Sequence, residues 1–277
     1  MNNYKNWIAQ AEILYRNGTP YSRIAKELGV NRKTVSYRLR QLGYESDKRY
    51  VRIISPDKLR KYDYQYADSL FEKIDTEEKA YWLGFLYADG DISDSHNTIS
   101  LALAEKDLEH VKKFRDFWHM EEKPITMKVR HLNGKSFTSY EFAVTSKKIK
   151  DDLLVLGCFP RKTFKIKFPT DDIVPSVLKH HFVRGYLDGD GCITKPQISN
   201  VSVEILGTED FLDGYQKWTG LHYNKLHEFK TTEIKHSMYA GKYAEQILNK
   251  IYNDATVFLQ RKYDLYLKYC RPELKTT

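Results

Sequence analysis

The sequence predicts an α+β protein in which two pseudo-symmetric half-domains follow a small all-α domain. Three observations support this prediction. A short apolar segment ending in Asp-Gly occurs twice, at residues 82–90 and 182–191. Segments rich in β-forming residues follow both copies. Residues 1–45 instead show helical periodicity interrupted by turn residues. We therefore expect a helical domain at 1–45, a linker at 46–74 and half-domains at 75–168 and 169–277.

Each copy of the duplicated segment is typical of a short helix with a face of small residues. Gly84 and Ala88 lie four residues apart in the first copy, as do Gly185 and Gly189 in the second. A glycine inside a helix costs about 1 kcal/mol relative to alanine, so its repetition needs a packing reason. Small residues let two helices approach closely, and we therefore expect the two copies to pair side by side.

A parallel pair of these helices would bring Asp89 and Asp190 together at its C-terminal end. The two carboxylates would repel each other and would also face the negative ends of both helix dipoles. A cation relieves both effects, so the pair indicates a divalent-metal site. The alternative is that each Asp-Gly is only a turn that ends its helix, which is common for a single copy. The duplication, with 101 residues between the aspartates, favours the metal site.

The similarity between the two halves continues beyond these segments. Residues 99–103 correspond to 201–205, and both halves end in an Arg-Lys pair. Lys162 lies 73 residues after Asp89, and Lys262 lies 72 residues after Asp190. Two half-domains of about 100 residues, neither of which completes the site alone, explain this repeat.

Composition indicates a soluble globular protein. Hydrophobic residues make up 41% of the chain and charged residues 30%, and no apolar stretch has the length of a membrane span or a signal peptide. The three cysteines have no paired spacing that would predict a disulfide framework or a zinc site. We expect a cytoplasmic protein without a membrane partner. His180 and His181 are adjacent, so we expect them to point to different helix faces and to be structural.

The excess positive charge is confined to the amino-terminal segment. The net charge is +8, and residues 1–60 hold 13 lysines and arginines against 5 acidic residues. The remaining residues hold 32 of each. A basic domain of this kind is typical of proteins that bind polyanions, and nucleic acid is the favoured partner.

Within this basic segment the pattern predicts a helix-turn-helix. Three helices are expected, with turns at Asn17-Gly18 and at Gly29-Val30-Asn31. Ala25, Gly29 and Val35 lie where such a motif needs a small residue, a tight turn and a buried aliphatic side chain. The outward face of the third helix would bind a major groove; it comprises Arg32, Lys33, Ser36, Tyr37 and Arg40. The alternative is an ordinary solvated basic face.

The duplicated segments resemble the paired LAGLIDADG motifs of homing endonucleases. The matching residues are Gly84, Ala88, Asp89 and Gly90 in the first copy and Gly185, Asp188, Gly189, Asp190 and Gly191 in the second. The first copy departs from the pattern by carrying Tyr87 where an acid is usual. Two motifs in one chain look like the monomeric branch of that family. The resemblance covers the region after the linker, and the amino-terminal domain separately resembles small DNA-binding modules.

The resemblance implies a fold, a metal and a substrate. Each half would be αββαββα, and the two sheets would form a saddle over the major grooves of double-stranded DNA. Asp89 and Asp190, with Gly90 and Gly191 at the same turns, would bind Mg²⁺. Mn²⁺ could replace it, whereas Ca²⁺ is expected to bind without supporting cleavage. Each aspartate would serve one strand, which gives a double-strand break.

The paired lysines are further candidates for catalysis. By resemblance, Lys162 and Lys262 would stabilise the charge of the transition state or activate solvent. Alternatively, each Arg-Lys pair only begins a helix.

Strand-forming segments supply the remaining candidates for DNA contacts. In residues 125–130, Thr126, Lys128 and Arg130 share one face, while Ile125, Met127 and Val129 share the other. This pattern predicts a half-buried sheet with a basic outer face. The second half offers a weaker version with Lys225, Lys230 and Lys235. The same residues would also serve solubility on any exposed strand.

The favoured function is a sequence-specific, Mg²⁺-dependent, homing-type DNA endonuclease that acts as a monomer on a long duplex site. One alternative is a non-cleaving DNA-binding transcriptional regulator built from the same modules. Another is an intron maturase, for which intron RNA would be a partner.

Overall fold

The computed structural model describes residues 6–17, 19, 21–44, 69–132, 135–195, 200–228 and 233–271. The chain divides into two compact units, residues 1–64 and 65–277. Most of the predicted linker, Gly18 of the first predicted turn and Lys230 lie outside the described residues.

The first unit consists of three helices, α1 (Asn6–Arg16), α2 (Tyr21–Glu27) and α3 (Arg32–Gln41). Apolar side chains spaced at helical intervals meet in one core, formed by Ala11, Tyr21, Ile24, Ala25, Val35 and Leu39. Gly29 adopts φ of +64°, a left-handed conformation that glycine accepts without strain. The Asn31 side chain caps α3 by accepting a hydrogen bond from the Lys33 backbone nitrogen at 2.8 Å. The predicted all-α domain is confirmed.

The second unit contains two halves with the same order of elements. The first half comprises α4 (Glu77–Ala88), β1 (Gly90–Ile92), β2 (Thr98–Ala104), α5 (Leu108–Phe117), β3 (Thr126–Leu132), β4 (Lys135–Thr145) and α6 (Lys147–Val155). The second half comprises α7 (Lys179–Asp190), β5 (Gly191–Thr194), β6 (Ser202–Gly207), α8 (Glu209–Thr219), β7 (His227–Glu228), β8 (Lys235–Ala240) and α9 (Lys242–Tyr252), followed by α10 (Gln260–Cys270). The antiparallel sheets have the equivalent orders β1-β2-β4-β3 and β5-β6-β8-β7. The α+β class and the αββαββα halves are confirmed. In the described part of the chain, every helix is too short or too polar to cross a bilayer.

Helices α4 and α7 pack against each other through their glycines. A Cβ atom added to Gly84 would overlap the carbonyl oxygen of Phe182 and lie 2.9 Å from the backbone nitrogen of Tyr186. A Cβ added to Gly185 would meet the equivalent atoms of Tyr81 and Phe85 in the same way. One turn further along both helices, a Cβ added to Gly189 would lie 2.3 Å from the Cβ of Ala88, so the helices run parallel. The predicted side-by-side pairing is therefore confirmed.

The outer hairpin of the first sheet differs from the prediction. Register places Met127 opposite Tyr140, on the side of the sheet that carries the buried Leu101 and Phe142. The alternation predicted for β3 is thus present, but Met127 is 59% exposed and Val129 is 47% exposed. The prediction of a half-buried β3 was wrong, because alternation assigns a side chain to a face without showing how far the covering helices extend.

The packed body begins earlier than the predicted boundary at residue 75. Leu70, Phe71 and Ile74 are buried. The ring of Phe71 packs against Phe117 and Trp118, with centroids 5.7 and 5.9 Å apart. The assignment of residues 69–74 to the linker was therefore wrong, since apolar side chains within the charged segment pack on α5.

Candidate metal centre at the paired helix ends

The structure brings Asp89 and Asp190 to the same end of the helix pair. Asp89 is the C-cap of α4, and Asp190 is the last residue of α7. A Cβ added to Gly189 would lie 3.4 Å from Oδ2 of Asp89, so this carboxylate lies against the last turn of α7. Asp89 is exposed and Asp190 is half-buried. Both carboxylates can therefore be reached from solvent.

The electrostatic environment disfavours charge on both acids. Desolvation and then the negative charge of Asp89 raise the pKa of Asp190 to about 6. Desolvation also raises the pKa of Asp89, against the opposing charges of Lys262 and Lys162. Within the described residues, neither carboxylate has a hydrogen-bond or ion-pair partner. Two adjacent carboxylates without partners form an oxygen donor set suited to a hard divalent cation such as Mg²⁺.

The matched lysines make the same contact in both halves. Lys162 Nζ donates a hydrogen bond to the carbonyl oxygen of Gly90. Lys262 Nζ donates to the carbonyl oxygen of Gly191 at 2.6 Å. In each half the lysine therefore reaches the glycine that directly follows the aspartate. The correspondence seen in sequence spacing has a structural basis.

Lys262 is held more extensively than Lys162. Its Nζ also donates to the carbonyl oxygens of Leu187 at 2.6 Å, Asp188 at 2.8 Å and Gly189 at 3.4 Å. The residue is only 3% exposed, and burial lowers the pKa of its ammonium to about 8. A cation here satisfies carbonyl groups at the negative end of α7. This geometry suits the positioning of the Asp-Gly turn better than direct contact with a substrate.

The two glycines that were expected to bind metal serve as acceptors for these lysines. The carbonyl oxygens of Gly90 and Gly191 both receive an ammonium hydrogen bond. A positive charge at this distance opposes the binding of a second cation by the same oxygen. The carboxylates of Asp89 and Asp190 are therefore better candidate ligands for a cation than these carbonyl oxygens.

Asp188 is a central residue whose role the sequence did not reveal. It is fully buried and accepts hydrogen bonds from Tyr81 Oη at 2.8 Å, Tyr252 Oη at 2.5 Å and the Leu259 backbone nitrogen at 2.7 Å. Tyr81 belongs to the first half, so Asp188 links the halves. Its signal in the sequence was an acid within an apolar helical run, which predicts a buried acid with partners.

Arg184 of the same helix is the second buried charge that sequence reasoning missed. Its guanidinium donates to the carbonyl oxygens of Val257 and Ile251 at 2.9 and 2.6 Å. It also forms an ion pair with Glu77 of α4 at 2.5 Å. Arg184 therefore joins the N-terminal part of the helix pair to the segment that follows α9.

The predicted DNA-binding residues of the sheets have different environments. Lys128 and Arg130 lie on the sheet side opposite the core, and Lys128 is paired with Glu141 at 2.6 Å. Lys225 is exposed just before β7. Lys235 shares a sheet side with the buried Ser237 and Tyr239, and it pairs with two acids, Glu209 and Glu228. The assignment of Lys235 to a basic outer face was therefore wrong, since the register of β8 was not evident from its sequence.

The third helix of the first unit presents the predicted face. Val35 and Leu39 are buried. The residues predicted to bind DNA lie outside this core: Arg32, Lys33, Tyr37 and Arg40 are exposed, and Ser36 is half-buried. Their position suits contact with a nucleic acid, and their role stays a prediction.

No protein-family description and no curated protein matches this sequence. Among solved structures, the homing endonuclease I-WcaI bound to its DNA recognition sequence is 12% identical with a TM-score of 0.46, over 84% of this chain and 92% of that one. The LAGLIDADG meganuclease I-AabMI bound to uncleaved DNA is 11% identical with a TM-score of 0.44, over 71% of this chain and 91% of that one. Full-length WhiA from Thermatoga maritima is 18% identical with a TM-score of 0.43, over 76% of this chain and 66% of that one.

Proposed function

We propose that this chain is a Mg²⁺-dependent, sequence-specific DNA endonuclease of the homing type, which makes a double-strand break by phosphodiester hydrolysis. The observation that carries the proposal is the carboxylate pair, Asp89 and Asp190, at the adjoining ends of α4 and α7. The motif resemblance in the sequence supports it, because both motif aspartates reach this one place.

The chain's own residues have distinct roles in this proposal. Asp89 and Asp190 hold the cation, and each serves principally one DNA strand. When bound there, Mg²⁺ would neutralise the negative charge that develops on the phosphate and activate water for attack. Lys162 and Lys262 act as positioning residues, since they hold the carbonyl groups of the two Asp-Gly turns. Their positive charge also favours the ionised form of Asp89.

Binding of duplex DNA would involve both units. The exposed face of α3 supplies basic and polar groups to a major groove, and the outer side of the first sheet supplies Lys128 and Arg130. Contacts to phosphates release counterions, so binding should weaken as the salt concentration rises. Removal of residues 1–45 should lower affinity and flatten this salt dependence. An unchanged slope of log affinity against log salt would argue against a DNA role for that unit.

The central experiment incubates the full chain with a library of genomic or random duplexes in Mg²⁺, and in parallel with Ca²⁺ or EDTA. Specific double-strand breaks are expected in Mg²⁺, with Mn²⁺ able to substitute. Binding without cleavage is expected in Ca²⁺. Asp89→Asn and Asp190→Asn should each lower double-strand cleavage by at least about a thousandfold while leaving DNA affinity nearly unchanged. Asp91→Asn is a matched control, because Asp91 is an exposed acid two residues away.

A non-cleaving DNA-binding regulator is the second candidate function. The observation that favours it is the engagement of both matched lysines by backbone carbonyl groups, which leaves the ammonium of Lys262 buried. Tight and specific duplex binding without breaks in Mg²⁺ or Mn²⁺ would establish this candidate and rule out the nuclease. Full cleavage by either single Asn variant would disprove the assignment of the carboxylate pair. Structured intron RNA added to the same binding assay tests the maturase alternative, and light scattering tests the expected monomer.

A further inference from the structure

Two histidines and an aspartate meet at the end of the helix pair that is remote from Asp89 and Asp190. The atoms of His180, His181 and Asp254 that could bind a metal all lie within 4.8 Å of one another. His180 Nε2 lies 3.2 Å from Oδ2 of Asp254. The two imidazole rings lie side by side, with centroids 3.7 Å apart. Three potential ligands therefore converge on one small region.

The expectation that these histidines point to different helix faces was wrong. They lie in the first turn of α7, where the side chains of adjacent residues can still turn toward a common neighbour. That neighbour is Asp254, which lies in the turn directly after α9. The 74 residues between His180 and Asp254 explain why the sequence spacing did not predict a cluster.

His181 provides a second, independent indication of a ligand. The residue is 6% exposed, and its Nδ1 atom is buried without a hydrogen-bond partner in the described structure. The nearest acid, Glu77, places Oε1 3.8 Å from Nδ1, which is beyond hydrogen-bond distance. A buried imidazole nitrogen without a partner is costly. His181 therefore carries a buried imidazole nitrogen that lacks a hydrogen-bond partner among the described residues, within the same cluster of ligand groups.

We propose that His180, His181 and Asp254 form a binding site for a transition-metal ion of the Zn²⁺ class. Two imidazole groups and one carboxylate are the donor types that zinc prefers, and solvent can supply the fourth ligand at the exposed side. Mg²⁺ is a poor match, since it requires mainly oxygen ligands. The site is therefore chemically different from the carboxylate pair.

Neighbouring charges allow a cation at this place. Arg184 and the N-terminal end of α7 are positive and oppose it. Glu77 neutralises Arg184 through their ion pair, and the carboxylate of Asp254 supplies a further negative charge. The balance of these charges supports the binding of a cation with moderate affinity.

A metal at this site would tie α7 to the segment after α9. His181 and the carboxylate pair are separated by nine residues of helix, or about 14 Å along its axis. The ion would therefore stabilise the helix pair without entering the proposed reaction. Its loss should lower stability and leave the chemistry of the carboxylate pair in place.

The test uses the full chain, freed of metal by chelation and titrated with Zn²⁺ by calorimetry and with Co²⁺ by visible absorption. One equivalent bound with moderate affinity is expected, with a ligand-field spectrum for Co²⁺ and a higher melting temperature for the Zn²⁺ form. His180→Gln, His181→Gln and Asp254→Asn should each weaken binding at least about tenfold. His96→Gln is the control, because His96 is an exposed histidine outside the cluster.

Two features keep this test decisive. Asp254 is 59% exposed in its side chain, so Asp254→Asn should fold even if His181→Gln does not. The double variant Asp89→Asn, Asp190→Asn should retain the Zn²⁺ equivalent, which separates this site from the proposed nuclease centre. Binding by Asp254→Asn and His180→Gln as tight as that of His96→Gln would overturn the proposal. So would the absence of a Zn²⁺ equivalent in the wild-type chain.

Discussion

The two halves of the second unit are alike in the backbone contacts that join them and different in side chains at equivalent positions. Gly84 and Gly185 make reciprocal backbone contacts, and Lys162 and Lys262 both reach the glycine after the motif aspartate. By contrast, position 87 carries a tyrosine and the equivalent position 188 carries an aspartate. The reciprocal backbone contact constrains both helices at once, whereas the side chains at positions 87 and 188 have different partners.

The residues at the equivalent positions 87 and 188 form different hydrogen bonds. Tyr87 Oη donates a single hydrogen bond to the carbonyl oxygen of Leu156, at the end of α6, at 2.5 Å. Asp188 instead accepts three hydrogen bonds, including one from Leu259 before α10. The second half thus depends on a buried charge with several partners. The first half depends on one neutral contact.

The periphery of the halves diverges further. Among the described residues, strands β3 and β4 have 7 and 11 residues, whereas β7 and β8 have 2 and 6. The second half also adds α10, which carries Lys262, while Lys162 begins a short 3₁₀ turn. The lysines differ in the same way, since Lys262 on α10 is buried and Lys162 is half-buried.

The largest expected effect tests the shared interface. Gly84→Ala and Gly185→Ala should each lower the free energy of unfolding of the second unit by more than about 4 kcal/mol, because the added methyl overlaps a backbone carbonyl that cannot rotate away. Gly220→Ala is the control, with open space around it and a cost of about 1–2 kcal/mol for its left-handed backbone. Urea denaturation measures all three. A large loss for one glycine and a small loss for its partner would contradict the reciprocal contact.

The next effect compares positions 87 and 188. Asp188→Ala should cost about 3 kcal/mol or more, because it leaves three buried donors without their acceptor. Tyr87→Phe should cost only about 1 kcal/mol, since it removes one hydrogen bond. Equal losses in the free energy of unfolding, measured by urea denaturation, would show that the two positions contribute equally to stability despite their different residues.

The lysines provide a smaller contrast. Lys262→Met should cost about 2 kcal/mol, because several backbone carbonyl groups at the end of α7 lose their donor. Lys162→Met should cost about 1 kcal/mol or less, since it removes a single hydrogen bond at a half-buried site. Thermal denaturation checks the order, and methionine keeps the length of the side chain. A larger loss for Lys162→Met would reverse the asymmetry inferred from burial.

The smallest effect is a gain in stability that depends on pH. The folded-state pKa of Asp190 is raised to about 6 from an ordinary value of 3.8. The favourable contribution of the protonated acid is thus present below about pH 4 and is lost as the pH rises through about 6. Asp190→Asn should therefore be more stable than wild type above pH 6, by about 1–2 kcal/mol after allowance for solvent screening.

The Asp190→Asn variant also tests the proposed metal site. The stability advantage of Asp190→Asn over wild type should shrink as the pH falls toward 4. Added Mg²⁺ should stabilise the wild-type chain at pH 8 and have little effect on Asp190→Asn. Asp91→Asn serves as the control, because Asp91 is an exposed acid outside the carboxylate pair. A constant difference between variant and wild type across this range would contradict the electrostatic origin of the effect.

The sequence by itself determined the repeated framework and the meeting of Asp89 with Asp190. Small residues at helical spacing, an Asp-Gly stop and alternating strands are local patterns, and local patterns repeat in both halves with little change. The core of the first unit was determined in the same way by the spacing of Ala25, Gly29 and Val35. These features depend on local backbone geometry, so they can be predicted directly from the sequence.

Only the tertiary structure decided which charged groups are partners. Asp188 meets Tyr81 across 107 residues, and His180 meets Asp254 across 74. The exposure of Met127 and the inward side of Lys235 likewise depend on where covering helices end and on strand register. These contacts depend on how distant segments pack against one another. The local spacing of residues in the sequence carries no information about the distances and angles of that packing.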